Sequence, residues 1–373
     1  MPKIVVVGGR GFPGVQGGVE KHCEELYPRL AKLGCEVLVI TRAPYISKER
    51  RLKEWRGVKF YHLWCPSKKS LEAITHTFLG ILKAKTLSPD ILHIHAIGPS
   101  LLTPFAKLLG LKVVMTHHGP DYKRAKWGKI AKFFLKLGER LAMRFSDRII
   151  VISKEIQQEI KKKYNRDSIF IPNGVPSPLW MPPGEELNKW GLQPKKYVFT
   201  ACRFVPEKGL HDLIEAYRKI NNPLFKLVIV GDADHETDYT RQLKKAAKVT
   251  PGVILTGVLT GARLAEIFSN AGLFVLPSYY EGLPIALLEA LSYELPVLVS
   301  DIPQNREIPI PEERFFKPGN IDELSVKMIE LFTRGIDEKE KRYIRSILQE
   351  NYNWDNIAKQ TFEVYISLKS QCV

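Results

Sequence analysis

Residues 274–301 read FVLPSYYEGLPIALLEALSYELPVLVSD, a stretch that contains a strand, a loop, a helix and a second strand. Phe274–Leu276 is an apolar run typical of a buried parallel strand. The segment 277–282 has turn-forming residues, and Pro284 suits the first turn of a helix, where its missing N–H is not needed. The apolar run 296–299 predicts the next strand. This order predicts an α/β fold with a parallel sheet.

Two carboxylates in this stretch, Glu281 and Glu289, are candidate binding residues. Glu281 follows a strand, and ligands of open α/β sheets bind at that carboxyl edge. The helix start at Gly282-Leu283-Pro284 would offer free N–H groups to an anion. A sugar nucleotide combines two phosphates with hydroxyl-rich rings that donate to carboxylates. Each glutamate alone is more simply a solvated acid, but both beside this helix start favour a binding site.

Glu281-Gly282, Glu289 eight residues further on, and the Pro-Val-Leu-Val-Ser-Asp that follows resemble the E-x7-E signature of the retaining family 4 glycosyltransferases. That family has the GT-B fold. The resemblance implies two Rossmann-like domains with a deep interdomain cleft. It also implies that Glu289 holds the ribose hydroxyls of the donor and that Glu281 holds the transferred sugar.

The length of 373 residues is enough for two domains. We expect an N-terminal Rossmann-like, acceptor-binding domain over residues 1–175 and a C-terminal Rossmann-like, nucleotide-sugar-binding domain over residues 190–350. Several prolines between 172 and 183 mark the linker. In GT-B folds the last helix often returns to the first domain, and residues 351–373 are expected to do so.

The formal net charge of +16 favours anionic partners such as phosphate-bearing substrates or anionic lipid. Nucleic acid is disfavoured because no motif of a nucleic-acid-binding module accompanies the charge. The five scattered cysteines fit a reducing compartment, and neither a secretory signal nor a membrane-spanning run is found in the sequence. We expect a cytoplasmic protein, with possible peripheral contact with the inner face of the cell membrane.

The N-terminal strand is followed by a glycine-rich loop whose first part, Gly9–Gly14, fits the dinucleotide-binding pattern. The helix starts only near Gly17-Gly18, and the second strand ends in Thr41-Arg42 without the acid that would bind a ribose. Binding of NAD or FAD is therefore disfavoured. The resemblance implies that the N–H groups at Gly17 and Gly18 face the donor diphosphate.

Histidines follow two strands of the N-terminal half. His117 and His118 precede a glycine, and the family has such a His-Gly step, of which His118 is the match. His118 is therefore a candidate catalytic residue, and the choice over His117 rests on the resemblance alone. His95, at the end of another strand, either faces the cleft or has a structural role, and Asp121 is a further, weaker candidate.

Arg203 and Lys208 place two cations on one loop at a helix start, where they suit a diphosphate. The alternative is a pair of exposed surface cations, but the R-x4-K-G pattern of the family favours binding. With Glu281 and the backbone near Gly282 and Leu283, they form the predicted donor site. Asp232–Asp234 matches the letters of a metal motif but lies in a loop expected beside the nucleotide. We therefore predict no metal and no cofactor.

The segment Lys123–Phe145 is basic and amphipathic. Its apolar stripe either covers the sheet, as in an ordinary surface helix, or faces a membrane surface. Both interpretations hold together if the stripe serves the core while the lysines face lipid headgroups.

The resemblance implies sugar transfer with retention of configuration, and together with these observations it predicts a metal-independent hexosyltransferase. It would move a sugar from a nucleoside diphosphate, with UDP- or GDP-sugars favoured, to a hydroxyl of a lipid-linked or cell-envelope saccharide. The alternatives are a soluble α-glucan or disaccharide synthase on the same fold and a non-catalytic sugar-nucleotide-binding protein. A nicotinamide-dependent enzyme is the least favoured of the alternatives. The donor base, the sugar, the acceptor and the oligomeric state are left open.

Overall fold

The computed structural model describes residues 1–15, 17–46, 51–66, 69–123, 127–220, 224–233 and 235–370. Asp234 of the Asp232–Asp234 sequence and residues 124–126 of the basic segment lie outside these ranges. The chain divides into two compact units. The first comprises Met1–Gly174 and Tyr352–Val373, and the second comprises Val175–Asn351.

Among the described residues, the first unit contains a sheet of eight strands and, up to residue 174, five α-helices. The strands are β1 Lys3–Val7, β2 Glu36–Arg42, β3 Glu54–Trp55, β4 Val58–Leu63, β5 Ile91–His95, β6 Val113–His117, β7 Arg148–Val151 and β8 Ile169–Phe170. The helices are α1 Gly18–Lys32, α2 Lys69–Thr86, α3 Thr103–Leu108, α4 Lys129–Phe145 and α5 Lys154–Tyr164. The strand order is β3-β4-β2-β1-β5-β6-β7-β8, and the pairs are parallel except β3 with β4.

In the part of the second unit that the structure describes, six strands form a parallel sheet. Its strands are β9 Tyr197–Ala201, β10 Lys226–Val230, β11 Val253–Gly257, β12 Leu273–Leu276, β13 Val297–Ser300 and β14 Phe315–Phe316, in the order β11-β10-β9-β12-β13-β14. Its helices are α6 Glu185–Trp190, α7 Leu210–Lys219, α8 Asp238–Lys248, α9 Gly261–Asn270, α10 Ile285–Ser292, α11 Pro303–Arg306, α12 Ile321–Arg334 and α13 Glu338–Asn351.

The last helix, α14 Trp354–Ser370, packs in the first unit against α1. Trp354, Ile357 and Tyr365 of α14 are at most 2% exposed and share one core cluster with Tyr27 of α1. Burying such large side chains stabilises each by roughly 2 kcal/mol relative to exposure. The helix is therefore an integral part of the first unit's core.

Central strands of both sheets are buried on both faces, which explains their continuous apolar sequences. In β1, Ile4–Val7 is at most 2% exposed, and in β12, Leu273–Leu276 is at most 1% exposed. The strand order of each sheet also changes direction once. This point lies between β1 and β5 in the first unit and between β9 and β12 in the second. The loops that leave neighbouring strands at such a point run to opposite faces and open a crevice, the usual ligand position.

One predicted helix start differs from the structure. Pro284 directly precedes α10 in an extended conformation rather than lying within its first turn. In the basic segment, Lys123 ends a short 3-10 helix, and α4 begins at Lys129, after Gly128. Of the described residues, none belongs to a helix that has both the length and the apolar character needed to span a bilayer.

Candidate functional site

The crevice of the second unit lies between the loops that follow β9 and β12. Because these strands are paired neighbours, their carboxyl ends meet at one edge of the sheet. The β9 loop carries Arg203 and Lys208, and the β12 loop carries Glu281. The topology therefore juxtaposes residues that are more than seventy positions apart in the sequence.

Lys208 and Glu281 form an ion pair at this edge, with Lys208 Nζ 2.5 Å from Glu281 Oε1. The same carboxylate oxygen accepts a hydrogen bond from Ser278 Oγ at 2.6 Å. The two charged side chains are only 18% and 8% exposed, so water screens their attraction less than that of a surface pair. The pair holds an ammonium group and a carboxylate side by side in a partly closed crevice.

Buried hydrogen bonds fix the backbone beneath this pair. Ser300 Oγ, at the end of β13, donates to the carbonyl oxygen of Ser278 at 2.5 Å. Asn305 Nδ2 in turn donates to the carbonyl oxygen of Ser300 at 2.8 Å. All three residues are fully buried. Glu281 is thus held by residues on two neighbouring strand ends, which limits its freedom before any ligand arrives.

The two loops of the crevice also bond directly to each other. Tyr279 N donates to the carbonyl oxygen of Glu207 at 2.9 Å, and Tyr279 Oη donates to Asp212 Oδ2 at 2.5 Å. Gly209 has a φ of 64°, and a Cβ there would lie 2.1 Å from the carbonyl oxygen of Pro277. This close approach requires glycine between Lys208 and the start of α7.

The remaining predicted donor residues lie around the start of α10. Gly282 is partly exposed, whereas Leu283 is 6% exposed, so Leu283 has chiefly backbone to offer a ligand. Glu289 is half-buried in the second turn of α10, and Arg203 is half-buried on the β9 loop. The first turn of α10 presents the free N–H groups that suit an anion.

In the first unit, the glycine-rich loop folds over an acid of α1. Glu20 Oε1 accepts from Arg10 N and from Arg10 Nε, both at 3.1 Å, and Glu20 is 6% exposed. A Cβ on Gly17 would lie 2.1 Å from Glu20 Oε2, and the φ of Gly17 is 151°. The φ of Gly17 is one that favours glycine, whereas the Glu20 carboxylate ends a side chain that can shift, and α1 begins at Gly18.

Behind this loop lies a buried network of histidines and tyrosines. Tyr27 Oη is 2.5 Å from His95 Nε2 and 3.1 Å from His93 Nδ1, and Tyr365 Oη is 2.6 Å from His93 Nδ1. His95 Nδ1 is 2.8 Å from His118 Nε2. Since His95 is fully buried, a structural role describes it better than direct contact with a substrate.

His22 of α1 adds a fourth imidazole, and its Nδ1 lies 2.7 Å from Asn173 Oδ1. Burial lowers the pKa of His22 to about 4, against a smaller opposite effect of Asn173, and burial lowers the pKa of His93 to about 3. Burial followed by the neighbouring imidazoles holds the pKa of His95 and of His118 well below the usual value. The four rings are therefore neutral at pH 7.

The adjacent residues His117 and His118 have different surroundings. His117 is 1% exposed, its Nε2 lies 3.1 Å from Glu139 Oε1, and its Nδ1 accepts from Gly119 N at 3.1 Å. Both of its ring nitrogens are thus used within the fold. His118 is partly exposed and uses Nε2 toward His95. Of the two, His118 has the surroundings that a ligand-contacting residue needs.

Helix α4 does not bury the apolar stripe that the sequence shows. Ile130, Phe133 and Phe134 are 76%, 63% and 45% exposed, whereas the helix turns Glu139 and Ala142 inward. The expectation that the stripe serves the core is therefore wrong for the first two turns of the helix. The side chains that point outward there are aromatic and aliphatic groups interspersed with lysines.

Two family models match this chain, one for each half. The model described as Glycosyltransferase Family 4 matches residues 16–177, and the model described as Glycosyl transferases group 1 matches residues 184–349. The chain belongs to the family 4, group 1 glycosyltransferases. This confirms the family that the paired glutamates and the sequence around them indicated.

Relatives and solved structures agree with this family. The chain is 27% identical over 310 residues to a putative teichuronic acid biosynthesis glycosyltransferase, TuaC, of Bacillus subtilis. The aligned segment covers 73% of this chain and 74% of the relative. It is 32% identical over 233 residues to the UDP-Gal:alpha-D-GlcNAc-diphosphoundecaprenol alpha-1,3-galactosyltransferase of Escherichia coli, covering 58% of this chain and 59% of the relative.

The structure of a sucrose-phosphate synthase from Thermosynechococcus elongatus superposes with a TM-score of 0.83 at 20% identity, covering 100% of both chains. At that identity the likeness shows the fold, and the fold is GT-B. The α/β, GT-B prediction is therefore confirmed for this family 4 glycosyltransferase.

From the sequence, the residues of the donor crevice were predicted more completely than those of the buried histidine cluster in the first unit. It indicated Lys208 and Glu281, which the structure places in contact. It did not indicate Ser278, His22 or Asn173, whose partners are three to 151 residues away. The serine shares the motif loop with Glu281 and was within reach of sequence reasoning, whereas nothing in the local pattern links His22 to Asn173.

Proposed function

We propose that this glycosyltransferase moves a sugar, with retention of anomeric configuration, from a UDP- or GDP-sugar to a hydroxyl of a lipid-linked or cell-envelope saccharide. The observation that supports it best is the Lys208–Glu281 pair at the crevice of the second unit. A nucleoside diphosphate sugar presents anionic phosphates beside donating hydroxyls. The crevice offers an ammonium group for the first and a carboxylate for the second.

The roles follow from the charges that change during transfer. The bond from the anomeric carbon to the diphosphate breaks, and its electron pair leaves with the phosphate oxygen. Lys208, Arg203 and the N–H groups near Gly282 and Leu283 stabilise that negative charge. Lys208 can keep one N–H on Glu281 while directing others to the phosphate, because an ammonium group has three donors.

The acceptor oxygen then bonds to the same face of the anomeric carbon, and its proton passes to the departing phosphate oxygen. Glu281 would hold hydroxyls of the transferred sugar and Glu289 those of the ribose. In the first unit, Gly17, Gly18 and His118 are the residues that we propose to bind substrate. This route uses no metal ion to hold the diphosphate.

The acceptor class is proposed from the relatives. One named relative acts in teichuronic acid biosynthesis and another on a diphosphoundecaprenol-linked sugar. Both names describe envelope saccharides or their lipid-linked precursors. The formal charge of +16 agrees with a substrate that carries a diphosphate and lies at an anionic surface.

A donor and acceptor screen tests the proposal. Purified protein is incubated with UDP-glucose, UDP-galactose, UDP-N-acetylglucosamine or GDP-mannose, and with either a prenyl-diphosphate-linked sugar or soluble sugars and sugar phosphates. Nucleoside diphosphate release and labelled product are measured in chelator. The anomeric configuration of the product is read by NMR. Transfer to the lipid-linked acceptor supports the proposal, transfer to soluble acceptors alone supports the soluble synthase, and donor binding without turnover refutes both.

Variants of the ion pair test the site itself. Lys208→Met and Glu281→Gln should lower kcat/KM by about 10²- to 10³-fold, the usual cost of removing a group that stabilises transition-state charge. The matched controls are Lys219→Met and Glu215→Gln on the exposed part of α7, where side chains are 44% and 45% exposed. Equal activity in the site variants and the controls would refute the assignment.

We also propose that the exposed surface of α4 contacts anionic lipid. Ile130, Phe133 and Phe134 supply apolar groups for the acyl boundary, and Lys129 and Lys136 are exposed beside them. Each lysine near an anionic bilayer contributes roughly 1 kcal/mol. The charge complementarity therefore selects an anionic membrane as the occupant of this surface.

Vesicle sedimentation tests this surface. Wild-type protein should sediment with phosphatidylglycerol vesicles more than with phosphatidylcholine vesicles, and added salt should weaken the binding. Phe133→Ser with Phe134→Ser should weaken binding at least 10-fold. Leu108→Ser, which changes an 83% exposed leucine elsewhere in the first unit, is the control. Undiminished binding of the double variant would refute the proposal.

A further inference from the structure

Three imidazoles from three elements of the first unit converge behind the glycine-rich loop. His22 lies on α1, His95 ends β5, and His118 follows β6. One ring nitrogen from each lies within 4.8 Å of the other two. This arrangement is a property of the first unit alone and needs nothing from the donor crevice.

The partners of these rings determine which nitrogen each one has available. Asn173 Oδ1 accepts from His22 Nδ1 at 2.7 Å, so His22 keeps its lone pair on Nε2. That buried Nε2 has no hydrogen-bond partner among the described residues. His22 is 3% exposed. A buried polar atom without a partner is costly, which requires an explanation.

His95 is likewise oriented by a partner at the ring nitrogen that faces away from the cluster. Its Nε2 lies 2.5 Å from Tyr27 Oη, which leaves Nδ1 directed at His118 Nε2 at 2.8 Å. Metal-binding histidines commonly use one nitrogen for the metal and donate the other N–H to an oxygen, which fixes the tautomer. Asn173 and Tyr27 provide such outer partners for two of the three rings.

We propose that His22, His95 and His118 form a binding site for Zn²⁺ or a similar first-row divalent ion. Zinc–nitrogen bonds of about 2.0–2.1 Å around a tetrahedral ion separate the ligand atoms by about 3.4 Å. The observed separations, 2.8 Å for one pair and at most 4.8 Å for the set, bracket this value. Small side-chain rotations would complete the site once the proton in the hydrogen bond between His95 Nδ1 and His118 Nε2 has moved to the other nitrogen of its ring.

Three imidazoles favour zinc over magnesium or calcium, which prefer oxygen ligands. Three protein ligands leave a fourth position for water or another small ligand. The site would satisfy His22 Nε2, whose lone pair has no other described partner. This inference goes beyond the proposed transfer, for which no metal is expected at the diphosphate.

The experiment measures metal binding without any donor or acceptor. Untagged full-length protein is treated with chelator, dialysed and titrated with Zn²⁺ by calorimetry, and bound metal is counted by mass spectrometry. Co²⁺ is then used because its visible absorption distinguishes tetrahedral coordination. We expect about one ion per chain, a tetrahedral Co²⁺ spectrum and a higher Tm.

Variants assign the ligands. His22→Ala and His118→Ala should each weaken Zn²⁺ binding at least 100-fold, whereas His62→Ala and His211→Ala, outside the cluster, should leave it unchanged. Asn173→Ala keeps all three ligands but removes the partner of His22, so it should weaken binding about 10- to 100-fold, and Asn173→Asp should restore it.

Circular dichroism shows whether each variant is folded. If His22→Ala fails to fold, the Co²⁺ spectrum of the wild type and the Asn173 pair still decide the question. Absence of stoichiometric Zn²⁺ binding to the folded wild type overturns the proposal. Full binding by a folded His22→Ala variant also overturns it. Neither result depends on whether the protein transfers a sugar.

Discussion

The substitution Glu139→Gln tests whether one buried carboxylate stabilises the first unit. Glu139 is 3% exposed on α4 and accepts hydrogen bonds from four side chains. His117 Nε2 is at 3.1 Å, Lys163 Nζ and Tyr164 Oη are both at 2.5 Å, and Tyr122 Oη is at 3.2 Å. These partners come from separate parts of the unit, so this carboxylate joins them.

The magnitude follows from the protonation equilibrium of this group. Burial alone would raise the pKa of Glu139, but the hydrogen bonds from His117, Lys163 and Tyr164 outweigh it and lower the pKa from 4.5 to about 2. Each tenfold change is worth about 1.4 kcal/mol, so the charged form stabilises the folded state by about 3 kcal/mol. Since the pKa is lowered on folding, this stabilisation is complete above about pH 5 and is lost as the pH falls toward 2.

The assay is urea-dependent pulse proteolysis of the full chain at pH 7, 5, 4 and 3. A chain with two units need not unfold in one step, so peptides from residues 113–164 are followed by mass spectrometry to report on the first unit. The free energy of unfolding of Glu139→Gln should be about 3 kcal/mol below that of the wild type at pH 7. At pH 3 the difference should shrink to about 1 kcal/mol.

The matched control is Glu159→Gln, which removes the pair of Glu159 with Lys123, two side chains that are 41% and 38% exposed. Its cost should stay below about 1 kcal/mol. A difference for Glu139→Gln that is the same at pH 7 and pH 3 would refute the reasoning, because the stabilisation would then not come from the carboxylate's charge.

Three further substitutions have defined outcomes. Gly209→Ala should destabilise the second unit by more than about 1 kcal/mol, since its Cβ would meet the carbonyl oxygen of Pro277 at 2.1 Å; unchanged urea unfolding would contradict this. Arg314→Met should cost about 3–5 kcal/mol, because Arg314 is fully buried and pairs with Glu340 at 2.7 Å; a variant as stable as the wild type in the same assay would show that the pair is dispensable. Tyr365→Phe removes a hydroxyl 2.6 Å from a buried histidine of β5 and should cost about 1 kcal/mol, measured as a lower Tm.

The sequence predicted the α/β fold because buried parallel strands have a characteristic, continuously apolar sequence. Runs such as Ile4–Val7 and Phe274–Leu276 are apolar at every position, since helices cover both faces of the sheet. The positions after those runs are at the carboxyl edge, where Lys208 and Glu281 were predicted to act. Their direct contact follows from the pairing of β9 with β12, which no local pattern specifies.

Contacts between distant residues account for most of what the sequence did not show. His22 meets Asn173, 151 residues away, and Tyr365 meets His93, 272 residues away. Nothing in the periodicity of either segment encodes such a pairing. The exposure of Phe133 was not predicted for a different reason. An apolar stripe predicts that a helix is amphipathic, but it does not specify which face packs against the sheet.

The position of α14 in the first unit has a consequence for the order in which the protein matures. Ribosomes add residues from the N-terminus onward, so Val175–Asn351 is made before the helix that fills the core around Tyr27. The second unit has its whole sequence available first and can finish folding while the first still lacks one helix. The core of the half that emerges earliest is therefore the one that is completed last.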